Sequence, residues 1–214
     1  RDLAAAFRLA AQHGWQDQLA THMSVRLPGD PPRFLINPYG LFFEEITASS
    51  LVIVDAAGNV ISPTPQRVNK AGFIIHAAIH GAREDAQCVI HLHTVAGSAV
   101  AAQAEGLLPV SPGAMYFTGR LGYHAWEGVT IVPEEQGRIV ANLGEHPALI
   151  FRNHGTLTVG RTVGEAFQRM YVLEKACQIQ VAAQAGGPLV VPGPDSIASV
   201  YPQLESFGDV AGLT

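Results

Sequence analysis

The stretch CVIHLHT, residues 88–94, places two histidines either side of one leucine at the end of an apolar run. Residues two apart on a strand project from the same face, roughly 6–7 Å apart. His91 and His93 can therefore converge on one ion. A third candidate is His154, in FRNHGT, where the apolar run ALIF ends and the chain turns at Gly155. Three neutral imidazoles with one position left open form a catalytic rather than a structural metal site. Spacing alone does not bring His154 to the pair, because 61 residues separate it from His93. The residues by themselves also allow a plainer reading, in which each histidine is a hydrogen-bonded polar group at a strand edge.

A rival pair is His76 and His80, four apart and so on one face of a helix. No acid stands between them and no third ligand is near, which excludes the zincin pattern. One is expected to bond or pack inside while the other meets solvent. No G-x-S-x-G, P-loop or G-x-G-x-x-G occurs, so serine-hydrolase and nucleotide-binding readings have no support.

The elements that must carry these residues follow from pattern. DLAAAFRLAAQHG reads as an N-terminal helix with Leu3, Phe7 and Ala10 on one face and Gly14 as its stop. HMSVRLPGDPPRFLINPYG reads as two strands around a turn, and SLVIVDAAGNVIS as a second hairpin turning at 55–59. A helix is expected from about Asn69 to Gly81, then the loop AREDAQ, the buried strand CVIHLHT and the helix AGSAVAAQAEG. Residues 106–137, interrupted by Pro109 and Pro112 and by several glycines, read as loops and short strands. PALIFRNHG is another apolar strand. TVGEAFQRMYVLEKACQIQVAAQAGG is a long helix with a Thr162/Glu165 capping box and Gly186 at its end. The Pro/Gly-rich tail is expected to lie over the surface or a neighbouring subunit. Interleaved strands and helices, with early hairpins, make an α/β protein with a mixed sheet.

Composition narrows the function. The chain of 214 residues fits one large domain, and 48% hydrophobic against 14% charged residues gives it a sizeable core. A net charge of −5 and the lack of a basic cluster argue against nucleic acid and against a membrane surface. No apolar run approaches the ~20 residues of a membrane span, and no signal peptide is visible. Cys88 and Cys177 suggest no disulfide framework. They read as buried thiols, and a reducing, cytoplasmic setting is expected.

VIHLHT followed by FRNHGT resembles the class II aldolase/adducin family, as do RFLINPYGLFFEEITASSLVIVD, VNKAGFIIHAAI and the long helix. The resemblance runs in order through about residues 3–190, and its adducin-like branch matches best. It implies a three-layer α/β/α fold around a mixed, mainly antiparallel sheet, as in fuculose-phosphate aldolases. The domain would occupy residues 1–190, with 191–214 as a tail packed on it or on a neighbour, commonly in a homotetramer. It implies a divalent metal, usually Zn2+ with Fe2+ or Mn2+ as alternatives, held by His91, His93 and His154. In such enzymes the metal acts as a Lewis acid when a C–C bond breaks. Counting back from His91 without gaps, the family's acid/base glutamate falls on Gly72, and the two serines before it on Lys70 and Ala71. The family's Gly-Asn and Thr-Gly phosphate contacts become Thr21-His22 and Tyr39-Gly40.

Those departures shape the functional expectation. His22, Tyr39, Gly40 and Lys70 suit a carboxylate better than a phosphate. His22, Tyr123 and His124 are the candidate proton donors, and Glu44 or Glu45 a candidate replacement base. The leading expectation is a metal-dependent carbon–carbon lyase, of aldolase or decarboxylase type, acting on a small hydroxy-, keto- or aromatic carboxylate. Two alternatives stand beside it. One is a non-catalytic scaffold like the adducin head. The other is a non-haem iron oxygenase on the same three histidines.

Overall fold

In the computed structural model, residues 1–128 and 133–211 are described. The chain begins with α1 (Asp2–Gln12), the strands β1 (His22–Leu27) and β2 (Arg33–Ile36), a 3-10 turn (Phe43–Glu45) and β3 (Val52–Asp55). There follow α2 (Lys70–Ala82), β4 (Cys88–Leu92), α3 (Val95–Ala101), α4 (Pro112–Tyr116) and β5 (Leu121–His124). The last elements are α5 (Pro133–Leu143), β6 (Ala148–Phe151), β7 (Gly155–Gly160), α6 (Val163–Ala185) and α7 (Pro194–Ala211).

The seven strands form one sheet in the order β3-β2-β1-β4-β7-β6-β5. Every pairing is antiparallel except β5 with β6. Helices cover both faces, so the expected mixed, mainly antiparallel α/β architecture is present. On one face α2 and α5 bury Ile75, Ile79, Ile139 and Leu143 against Val89, Leu149 and Leu157. On the other, α1 and α6 bury Leu3, Phe7 and Met170 against Met23, Ile90 and Leu92, and α3 packs Val100 against Leu173 and Cys177. The period of two along β4 therefore decides where its histidine goes. Ile90 and Leu92 face α1 and α6, while Val89 and His91 face the α2/α5 layer.

Several sequence expectations hold. The early hairpins form, with the Asp55 carboxylate accepting the Ala57 and Asn59 N–H groups to close the second turn. The Thr162 side chain caps α6 by accepting the Glu165 N–H at 3.0 Å. Both cysteines are buried free thiols.

Others need correction. The segment 106–137 holds α4 and the start of α5 as well as β5, and residues 129–132 lie outside the described residues. The tail is largely helical, because α7 spans Pro194–Ala211 and sets Tyr201 5.6 Å from Tyr116 of α4. Pro112, Pro133 and Pro194 share one cause. Each opens a helix, where the missing N–H costs nothing, instead of breaking one. GTLTVG forms β7, which apolar periodicity does not single out between two glycines. His76 and His80 are both fully buried, so neither meets solvent.

Candidate metal centre

β1 and β4 pair so that His22 lies opposite His91, and β4 pairs with β7 so that His91 lies opposite Leu157. His91 is buried, and its Nδ1 is 3.0 Å from the Thr156 carbonyl of β7. A carbonyl only accepts, so His91 carries its proton on Nδ1 and has a lone pair on Nε2. His93, one step past β4, has Nδ1 3.0 Å from a carboxylate oxygen of Asp17. That contact likewise assigns its proton to Nδ1 and leaves Nε2 free. The two Nε2 atoms face each other 3.0 Å apart.

His154 joins them through local backbone geometry. Asn153 adopts a left-handed conformation (φ 57°), which asparagine tolerates better than most residues. A Cβ on Gly155 would stand 2.4 Å from the Leu92 carbonyl, so only glycine lets β7 start against the end of β4. The His154 ring then lies 4.5 Å from His93 and 4.9 Å from His91, measured between centroids. One ring nitrogen from each of the three lies within 4.8 Å of the others.

The donor set fits a cation. Two imidazole lone pairs at 3.0 Å repel unless a positive charge stands near both. A tetrahedral zinc with bonds of about 2.0–2.1 Å would hold neighbouring nitrogens about 3.3 Å apart. Acceptors on both Nδ1 atoms are the outer contacts that orient metal-bound histidines. Burial, reinforced by the charges of neighbouring histidines, holds His91 well below the ordinary histidine range. Burial and then the neighbouring His93 lower His154 to about 4. Both are therefore neutral at pH 7, as ligands must be.

His22 stands against this cluster, its ring 5.4 Å from that of His91. Burial, then the charges of His93 and His154, lower it to about 3. Its Nε2 lies where a side chain on Gly72 would begin, 2.1 Å from an ideal Cβ there. His124 is also buried beside the site. Its Nδ1 accepts from the Asn142 amide at 2.9 Å, and its Nε2 is 3.4 Å from the Glu135 carboxylate. His124, Glu135, Trp126, Arg152 and His154 line a shallow cleft beside the cluster.

The other candidates make contacts of their own. Tyr123 alternates to the opposite face of β5, where its hydroxyl accepts the Leu107 N–H at 3.0 Å. Lys70 reaches the Asn59 side chain at 2.9 Å. Tyr39 is half exposed and joined through its backbone to Arg67, and Gly40 follows with φ 109° in open space. Glu45 accepts the Phe42 N–H at 2.8 Å and closes its own turn. Asp17, Thr156, Trp126 and Ser24 were not singled out from sequence. Asp17 lies 76 residues from the histidine it holds, and no local spacing signals such a contact.

The description "Class II Aldolase and Adducin N-terminal domain" matches residues 1–181. This chain belongs to the class II aldolase and adducin family. Among solved structures, the aldolase II superfamily protein of Pseudomonas syringae is 48% identical, with a TM-score of 0.94 over 99% of this chain and 86% of that one. The L-fuculose 1-phosphate aldolase of Glaciozyma antarctica is 34% identical, with a TM-score of 0.85 over 94% of this chain and 79% of that one. Alpha-adducin of Rattus norvegicus is 46% identical over 191 residues, which are 87% of this chain and 26% of the adducin. This class II aldolase relative thus stands between an enzyme and a much longer protein of which it matches one part. Among its described residues no helix is long and apolar enough to cross a membrane.

Proposed function

We propose that this protein is a divalent-metal-dependent carbon–carbon lyase, of aldolase or decarboxylase type, acting on a small hydroxy- or keto-carboxylate. One observation carries the reading: three imidazoles converge, and two of them present facing lone pairs fixed by acceptors on their other nitrogens. His91, His93 and His154 would hold the ion, with Zn2+ favoured by an all-imidazole set and Fe2+ or Mn2+ as substitutes. A divalent cation there supplies Lewis-acid polarisation of a carbonyl.

The chain's own residues supply the rest. The cleft beside His154 is where a substrate would reach the ion. Trp126 forms one wall, its ring 5.6 Å from that of His154. His22 is placed to take a hydroxyl proton from the substrate as the C–C bond breaks and to return one to the carbon fragment. The resemblance puts the family's acid/base glutamate at position 72, and the His22 ring fills the space beside Gly72. His124, bonded to Asn142 and facing Glu135, is the second proton-handling group. Assembly into a homo-oligomer, and a cytoplasmic setting, belong to the same reading.

The likeness to alpha-adducin favours a second reading, a scaffold domain without turnover. The two separate in one experiment. Zinc-loaded and iron-loaded protein are each incubated, under nitrogen and under air, with a panel of small hydroxy and keto acids, and cleavage products are quantified. Turnover that His93→Ala abolishes supports the lyase. No turnover with any member, at full metal occupancy, contradicts it, and product formed only with dioxygen points to oxygenase chemistry.

A further inference from the structure

Behind His22 runs a buried chain of hydrogen bonds with a defined end. His22 Nδ1 lies 2.8 Å from His76 Nε2, and His76 Nδ1 lies 2.6 Å from the Ser24 hydroxyl. The same hydroxyl lies 2.8 Å from His80 Nε2, and His80 Nδ1 lies 2.6 Å from the Ala86 carbonyl. His22, Ser24, His76 and His80 are all at most 4% exposed. The residues come from two elements. His22 and Ser24 share one face of β1, and His76 and His80 share the facing side of α2.

The end of the chain sets its direction. The Ala86 carbonyl can only accept, so His80 carries its proton on Nδ1 and its Nε2 has a lone pair. Ser24 then donates to His80 and accepts from His76 Nδ1. His76 Nε2 is left as an acceptor and takes the Nδ1 proton of His22. Nε2 of His22 is therefore bare. The opposite direction needs a second proton on His80, which its burial disfavours.

We propose that His76, Ser24 and His80, anchored on the Ala86 carbonyl, form a positioning relay. It holds His22 as the Nδ1–H tautomer and presents an unprotonated Nε2 beside the three-histidine cluster, as acceptor for the hydroxyl of a bound hydroxy acid. The proposal rests on the lyase reading for the identity of that partner, but the tautomer itself does not. A histidine ring takes whichever tautomer its hydrogen bonds dictate, so the state of His22 is set, through His76, by Ser24, His80 and the Ala86 carbonyl further along the chain. The chain has one direction because one end is a carbonyl. The other end stands against a metal-ligand histidine, where an acceptor meets substrate.

The test is long-range proton–nitrogen correlation NMR on zinc-loaded protein labelled at histidine nitrogens. The relay requires a proton on Nδ1 and a bare Nε2 at His22, His76 and His80 alike. A protonated Nε2 on His22 overturns the proposal. Ser24→Ala removes the hinge of the chain, and a population of His22 protonated on Nε2 should appear, while Ser24→Thr keeps the wild-type pattern. An unchanged His22 in Ser24→Ala shows that the relay does not set its tautomer. Should Ser24→Ala fail to fold, the wild-type spectrum still decides. For the acceptor role, glycolate should shift His22 Nε2 and acetate should not, and an equal response to the two overturns it. Absent turnover with the tautomers as stated would remove the lyase reading and leave the relay. The wrong tautomers in an active enzyme would do the reverse.

Discussion

Gly72 and His22 share one space: a Cβ on Gly72 would stand 2.1 Å from the His22 Nε2. The imidazole sits beside the three-histidine cluster because position 72 has no side chain. This exchange between the first turn of α2 and the first residue of β1 separates the present site from the glutamate arrangement that the family resemblance implies.

Gly72→Ala should therefore displace the His22 ring and cost about 1–3 kcal/mol, the range for forcing a methyl into packed space. Gly81 lies in the same helix with nothing within 4 Å of its would-be Cβ. Gly81→Ala should leave stability unchanged or raise it by up to about 1 kcal/mol. Urea denaturation midpoints of the two variants check the contrast. Equal effects would show that the Gly72 clearance is not what admits His22.

Asp17→Asn should weaken metal binding without unfolding the protein. Asp17 is half exposed and touches the metal set only through His93 Nδ1 at 3.0 Å. Loss of such an outer contact costs roughly 10–100-fold in affinity. Competition against a chromophoric zinc chelator reads the change directly, and an affinity equal to wild type would show that the Asp17 carboxylate does not tune His93 as a ligand.

Acid should destabilise the fold as its buried histidines come within reach of protonation in the unfolded chain. Burial lowers His80 from 6.5 to about 4, against the opposing bond to Ala86. Between those values the unfolded chain binds a proton that the folded one refuses. The stabilising difference is thus intact above pH 6.5 and is lost progressively down to pH 4. The slope is about 1.4 kcal/mol per pH unit for each such histidine, and His22 and His76 shift in the same direction. Urea titrations of metal-free protein from neutral pH to about pH 4.5 measure it. A stability that does not fall over this range would show that the relay takes up protons while folded.

Gly155→Ala should damage the three-histidine site, because Gly155 follows His154 directly and an added Cβ would also stand 2.9 Å from the His93 ring. The added Cβ meets the Leu92 carbonyl at 2.4 Å, so the β6–β7 turn must shift and carry His154 with it. Weaker zinc binding by at least tenfold, alongside lost stability, is the expected result. Unchanged zinc affinity would show that His154 is positioned by something other than this turn.

The sequence discloses some of these features and hides others for physical reasons. His91 and His93 are legible because strand periodicity is local. Their convergence with His154 depends on β4 pairing with β7, and pairing partners leave no mark within a strand. The helical spacing of His76 and His80 was visible, but their burial was not, because Ser24 and the Ala86 carbonyl satisfy them from other elements. Pro112 and the tail's Pro194 read as breaks until their place at helix starts is seen. Tyr123 and His124 are neighbours in sequence, yet alternation sends one to Leu107 and the other to the cleft.

The central claim is that His91, His93 and His154 hold one divalent cation. Metal content by mass spectrometry, on protein purified without added metal and again after zinc saturation and desalting, tests it most directly. The account predicts close to one ion per chain in the wild type and a loss in His91→Ala, His93→Ala and His154→Ala alike. Wild-type protein that retains no metal after saturation, or three variants that retain it fully, would contradict the account.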